Sequence, residues 1–225
     1  MPRKALLACG ITASLLYVAM NVVVPMPWPE YRSASQTVSE LSAVGAPTRS
    51  LWIALAIPYT LLMAMFGWGV LASSGRNRAL RAAGGWLLAY GLTGLVWPLA
   101  PMHLRPVLAA SGPTLTDTAH KAFAIVTVAI MAVAMLCGAL ALGRRFRLYS
   151  AVTIAVLATF GLLTVRDAPR LEANQPTPWM GVWERINIGA FLLWVIVLAA
   201  GLWRGAGPAT AEASRQSPPP PRASS

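Results

Sequence analysis

The sequence predicts an all-α protein, a polytopic bundle of six transmembrane helices, and three observations predict it. First, 56% of the 225 residues are hydrophobic and only 11% are charged, against roughly 25% charged in an average soluble domain. Second, the apolar residues gather into six runs, Ala5–Met26, Leu51–Ser73, Ala82–Pro101, Ala119–Leu142, Leu148–Val165 and Gly181–Trp203. Each is close to the ~20 residues that a spanning helix needs. Third, the cations are distributed unevenly between the connections.

With the N-terminus placed inside, the inner segments carry Arg3, Lys4, Arg76, Arg78, Arg81, Arg144, Arg145, Arg147, Arg204, Arg215 and Arg222 against Glu212 alone, a net +10. The outer segments carry seven cations against six acids, a net +1. This asymmetry predicts both termini in the cytoplasm of a multi-pass protein of the cell inner or plasma membrane. It also accounts for the overall charge of +11 with no nucleic acid as partner.

The first run carries Ala8, Gly10, Ala13 and Ser14, small residues that let helices approach closely, and ends at Pro25, Pro27 and Pro29. Its length, and the lack of a small-residue cleavage site after it, predict an uncleaved first helix. The outer connection that follows is the longest and most polar. Within it Ser35–Val44 spaces Val38, Leu41 and Val44 three apart, which predicts a short amphipathic helix stopped by Gly45 and Pro47.

The second run returns inward with Pro58 as a kink, and the third carries Gly84, Gly85, Gly91 and Gly94 for tight packing. An outer connection with His103 and Arg105 leads to the fourth run. The fifth ends at Arg166 and Asp167, and the sixth opens with Gly181-Val-Trp-Glu-Arg-Ile-Asn187. Trp28, Trp52, Trp97, Trp179 and Trp183 fall near the outer boundary, where an aromatic belt sits. Residues 1–203 therefore form one membrane domain. The Pro- and Ser-rich segment 204–225 is expected to be a disordered cytoplasmic tail. Cys9 and Cys137 lie near inner helix ends and read as small packing residues.

Function is sought at the outer ends of the second, fourth and sixth runs, whose free N–H groups and positive dipoles point outward. Asp117 and Glu184 suit such ends; Arg49, Lys121 and Arg185 there need an acid or an anionic ligand beside them. One reading pairs Arg185 and Lys121 with Asp117, Glu40 or Glu184, as an interhelical salt-bridge cluster in a structural membrane protein. Another makes Ser39, Glu40, Arg49, Asp117, His120, Lys121, Glu184 and Arg185 the lining of an outward-facing polar pocket that binds or senses an outer-leaflet lipid or amphiphile.

A third reading is a membrane-embedded lipid hydrolase or transferase, with Ser39, Asp117, His120 and Glu184 as candidate catalytic groups. There is no Gly-x-Ser-x-Gly elbow to support it. With two histidines in the chain no standard metal motif can be written, and nothing calls for a cofactor. Transport by a single copy is disfavoured because no ionisable residue lies at mid-depth of a run. The partners implied are membrane lipids, with a homo-oligomer left open.

Ser35–Arg49, the Asp117-x-x-His120 pair heading the fourth run, and Gly181–Asn187 heading the sixth resemble the domain of unknown function 998 family of six-helix prokaryotic membrane proteins. The likeness spans about Ala5–Trp203. It implies the six-helix architecture and no particular chemistry. A looser likeness is to the six-helix damage-regulated autophagy modulators. Alkaline ceramidases are more distant, since they build a zinc site from three histidines, which this chain lacks.

Overall fold

The computed structural model describes residues 2–205. Six long helices dominate: α1 Arg3–Val23, α2 Arg49–Ser73, α3 Arg78–Gly94, α5 Leu115–Ala141, α6 Arg144–Glu172 and α7 Met180–Arg204. A seventh, the single-turn-scale α4 Arg105–Ser111, lies in the connection between α3 and α5. Each of the six, α3 when taken on to Leu99, is long and apolar enough to cross a membrane, as a multi-pass membrane protein requires. Residues 206–225, which hold nearly all of the expected Pro/Ser-rich tail, lie outside the described residues.

The long helices pack as a closed ring in chain order: α1 against α2, α2 against α3, α3 against α5, α5 against α6, α6 against α7, and α7 back against α1. Neighbours are therefore antiparallel, which short connections favour. The tightest seam joins α2 and α3, where backbones nearly touch. A Cβ on Gly91 would stand 2.4 Å from the Ala64 nitrogen, and one on Gly67 2.3 Å from that of Leu88. Gly85, one residue off the seam, faces open space and takes no part.

Inside the ring, Phe66, Met63, Leu87, Met135, Phe191 and Trp194 are fully enclosed. Several polar groups among them are satisfied, as burial in a lipid-surrounded bundle demands, although Asn21 Oδ1, Thr127 Oγ1 and Tyr149 Oη are buried without a partner among the described residues. Trp194 Nε1 donates to Ser150 Oγ at 2.9 Å, the hydroxyls of Tyr59 and Tyr90 meet at 2.7 Å, and Asn187 Nδ2 donates to the Leu157 carbonyl at 2.6 Å. Ser14 Oγ reaches the Leu192 carbonyl at 3.2 Å, closing the seam between α1 and α7.

The two ends of the bundle differ. At the basic end, where α1 starts and α7 finishes, the connections 74–77 and 142–143 are short. At the opposite, loop end, residues 24–48, 95–114 and 173–179 fold together into a cap. A second, smaller core holds it, made of Ala43, Ala46, Met102, Leu108, Leu171 and Met180. Val44 donates its N–H to the Met102 carbonyl at 2.8 Å, joining the first and second loops through one isolated parallel bridge.

Three expectations change. The amphipathic helix expected over 35–44 contracts to a 3-10 turn at Ser39–Ser42, because the N–H groups of Thr37 and Val38 are drawn to carboxylates. The third run ends as a helix at Gly94, and Trp97–Leu99 becomes a separate 3-10 turn. The fifth run does not stop at Asp167. It continues through Pro169 to Glu172, since that extra turn carries Leu171 into the small core of the cap.

Candidate functional site

The cap is organised by Glu40, whose side chain is wholly enclosed. Its Oε2 accepts from the Thr37 N–H at 2.7 Å and the Thr37 hydroxyl at 3.1 Å, and Gln36 Nε2 reaches Oε1 at 3.4 Å. Arg105 then clamps the carboxylate with both prongs, Nε to Oε1 at 2.7 Å and Nη2 to Oε2 at 2.9 Å. The same guanidinium donates to Thr177 Oγ1 at 2.6 Å and to the Ser35 carbonyl at 2.8 Å. A single side chain at the start of α4 thus ties all three loops. A fork of parallel donors onto a carboxylate is the geometry in which arginine binds most strongly.

Loop 1, residues 24–48, is seated on the start of α7. Val182 donates to the Ala34 carbonyl at 3.1 Å, so the loop satisfies an N–H that a helix start leaves free. Contact is so close that a Cβ on Gly181 would lie 2.2 Å from the Gln36 carbonyl oxygen and 2.4 Å from that of Ser33. Only glycine fits there. Arg185 fastens the seat, its Nη1 donating to the carbonyls of Ser33 at 2.7 Å, Gln36 at 3.0 Å and its own-helix Gly181 at 3.0 Å.

Arg185 Nη2 also donates to Tyr31 Oη at 2.6 Å, and its guanidinium lies 5.8 Å from the Tyr31 ring centre. Burial pushes the Tyr31 phenol above its usual range despite that neighbouring cation. It therefore stays protonated and donates to the Thr37 carbonyl at 2.8 Å. Glu184, beside Arg185, accepts from the Val38 N–H and, at 3.5 Å, from Ser39 Oγ. No ion pair forms on it among the described residues.

The start of α5 makes a second cluster. Thr114 and Asp117 form a reciprocal capping box, with Asp117 Oδ2 accepting from the Thr114 N–H at 2.9 Å and hydroxyl at 2.7 Å. The same carboxylate holds His103 twice, by its backbone N–H at 2.7 Å and its Nδ1 at 3.0 Å. With a carboxylate accepting there, Nδ1 carries the proton and Nε2 is left as the acceptor. His120, also buried, bonds elsewhere: its Nδ1 lies 2.8 Å from the Ala100 carbonyl and its ring meets Trp97 edge-on at 4.7 Å.

The candidate residues are therefore brought to one end but not into one chamber. Ser39 and Glu184 meet; Glu40 pairs with Arg105, and neither Lys121 nor Arg185 pairs with Asp117, Glu40 or Glu184. Lys121 instead bonds Glu172 at 2.7 Å on the outer surface, and Arg49 donates to the Ser42 carbonyl. Arg185 finds its partners among carbonyl oxygens because it faces the backbone of loop 1.

Arg105, Tyr31 and Thr177 are the groups that the sequence did not single out, and His103 reads from the sequence only as an interface residue. Arg105 had a usable signal: it is a lone cation flanked by Leu104, Pro106, Val107 and Leu108, and such a charge needs a partner to be buried. Among the described residues no three His, Cys, Asp or Glu side chains gather in a metal-binding arrangement. A shallow depression of about 230 Å³ opens between loop 1 and α4, rimmed by Trp28, Leu104, Pro106 and Asn174, with Gln36, Glu40 and Arg105 at its floor.

Neither the curated proteins nor the solved structures contain a match to this chain. A family model does match, over residues 11–201, from the middle of α1 to near the end of α7 and including the whole cap. The chain belongs to the DUF998 family, proteins of unknown function.

Proposed function

We propose that the protein binds or senses a membrane amphiphile by its head group, at the depression between loop 1 and α4. The observation that carries this reading is the make-up of that depression, where the apolar Trp28, Leu104 and Pro106 stand beside the hydrogen-bonding side chains of Gln36, Arg105 and Asn174. Binding sites for small molecules combine apolar walls with a few placed polar groups. Glu40 and Arg105 neutralise each other, so the floor suits a neutral or zwitterionic head group better than a bare anion. At about 230 Å³ the space is below the ~300–1,000 Å³ of pockets that enclose a whole drug-sized ligand. The head group enters and the chains stay in the bilayer.

The reading includes an orientation. The basic end faces the cytoplasm and the cap faces the far side of the cell membrane. Single cysteines at Thr116 and Arg76, probed with an impermeant thiol reagent on intact cells, are expected to label only at 116; labelling at 76 alone reverses the assignment. For the binding itself, native mass spectrometry of the full chain is expected to show retained zwitterionic lipid that Pro106→Trp, which fills the depression from its exposed rim, removes. Equal retention by wild type and variant would falsify the reading.

A lipid hydrolase or transferase is favoured by one observation, the carboxylate of Asp117 on Nδ1 of the part-exposed His103. An imidazole so held presents Nε2 as a base. The base in this reading is His103 and not His120. It predicts that His103→Gln leaves thermal stability nearly unchanged yet abolishes a change in cellular lipids that expression of the wild type produces; identical lipid profiles with and without the wild-type protein refute it.

A further inference from the structure

The basic end of the bundle carries its own binding feature, independent of the cap. Three helices begin there, α1, α3 and α6, and none has an acid in its first turn. Instead those turns hold Arg3 and Lys4, Arg78 and Arg81, and Arg144, Arg145 and Arg147. Cations at helix starts oppose the helix dipole. At the loop end such cations are relieved by acids and carbonyls, but all three ion pairs among the described residues lie at that loop end. Among the described residues the cationic end has no ion pair of its own.

Beside it, on the lipid-facing side, α1, α2 and α3 leave an apolar crease of about 420 Å³ lined by Leu6, Ala64, Met65, Trp68 and Leu88. The crease exists because small residues draw the three backbones together at its base. A Cβ on Gly69 would lie 2.8 Å from Leu6 Cβ, and Gly67 lies against Leu88. Trp68, 58% exposed, stands as one wall.

Helical register links the crease to the charges. Arg3 precedes Leu6 by three residues and so stands on the same face, one turn nearer the end. Arg81 precedes Leu88 by seven residues, two turns, and lies on the same face of α3 about 10 Å nearer the end. Arg81 donates one N–H to the Gly75 carbonyl at 2.7 Å and keeps others for a ligand. Arg3 and Lys4 are exposed and make no ion pair among the described residues.

We propose that this crease binds an acidic phospholipid, its acyl chain lying against Trp68 and Leu88 and its phosphate between Arg3 and Arg81. Charge complementarity selects the ligand: an apolar slot ending at unpaired cations fits a chain ending in an anion, and juxtamembrane cations attract anionic lipid. This site is at the opposite end from the depression in the cap, so failure of either proposal leaves the other standing.

Trp68 supplies the reporter. The full chain is reconstituted into vesicles of equal parts phosphatidylglycerol and phosphatidylcholine, with bromine on the acyl chains of one lipid or the other. The Trp68→Phe variant is subtracted to isolate quenching at that residue. Brominated phosphatidylglycerol is expected to quench Trp68 more strongly than brominated phosphatidylcholine, with an enrichment on the order of fivefold per engaged cation at low salt. The preference is expected to fall in Arg3→Gln/Arg81→Gln and, with no substitution at all, when sodium chloride is raised.

Equal quenching by the two brominated lipids overturns the proposal and leaves the cations as determinants of orientation alone. A preference that survives both high salt and the double substitution overturns the head-group assignment. The salt arm decides the matter even if the double variant inserts poorly.

Discussion

The two ends of this bundle solve the same problem in opposite ways. Each presents three helix starts and several cations. At the loop end the chain also supplies acids and long connections, and it builds a cap in which Glu40, Asp117 and Glu172 each take a cationic or imidazole partner. At the basic end the connections are short and acids are absent from the first turns of α1, α3 and α6. The difference shows that net charge alone says little about where a charged side chain finds its partner. A cation given enough neighbouring backbone becomes a structural clamp, whereas one on a tight turn stays available to the bilayer.

The comparison is broken most forcefully at Arg105. Arg105→Ala leaves Glu40 enclosed and without its counter-ion, and stability is expected to fall by about 3–5 kcal/mol, read as a large drop in melting temperature in detergent. Arg105→Lys recovers only part, because an ammonium cannot reproduce the fork. Next, Arg185→Ala frees the carbonyls of Ser33 and Gln36 and the hydroxyl of Tyr31, with a loss of about 2 kcal/mol. Its specific signature is faster tryptic cleavage after Arg32, in the loop that Arg185 pins.

A substitution in the other direction is expected at Asp167. This residue on α6 is only 6% exposed and makes no ion pair among the described residues. Asp167→Asn removes the cost of an enclosed charge and should raise stability by about 1 kcal/mol; an equally large decrease in melting temperature would show that a partner for the carboxylate exists. The smallest effects are on exposed charges. Lys121→Ala breaks a pair whose side chains are 47% and 30% exposed, and should cost no more than ~0.5 kcal/mol. Arg145→Gln at the basic end should not move the melting temperature measurably.

The membrane architecture was legible because it rests on local composition. Six long apolar runs with charged ends leave little choice, and their bounds shift by four residues or fewer except at the ends of the third and fifth runs, which move by seven. The contact of Ser39 with Glu184 was also within reach, since both were placed in the same outer polar cluster. The remaining partnerships depended on distance along the chain: Glu40 and Arg105 are 65 residues apart, and Val38 and Glu184 are 146 apart. Only ring closure decides which loop meets which helix start. His103 and His120 illustrate the limit. Spacing alone put Asp117 with His120 on one face, and both are indeed buried there, but the capping box turns the Asp117 carboxylate back toward the preceding loop and so toward His103. Likewise the charges at Arg166 and Asp167 marked the end of the fifth run, and the packing of Leu171 in the cap carries the helix past them.

The return of the final helix to the first has a consequence for biogenesis. Because α7 seals the ring and also carries Gly181, Glu184 and Arg185, the latch for loop 1 is the last part of the membrane domain to leave the ribosome. Until then the segment around Ser33–Val38 has nowhere to dock, although it was synthesised near the beginning. The earliest loop must therefore wait for the arrival of the final span before the cap can close.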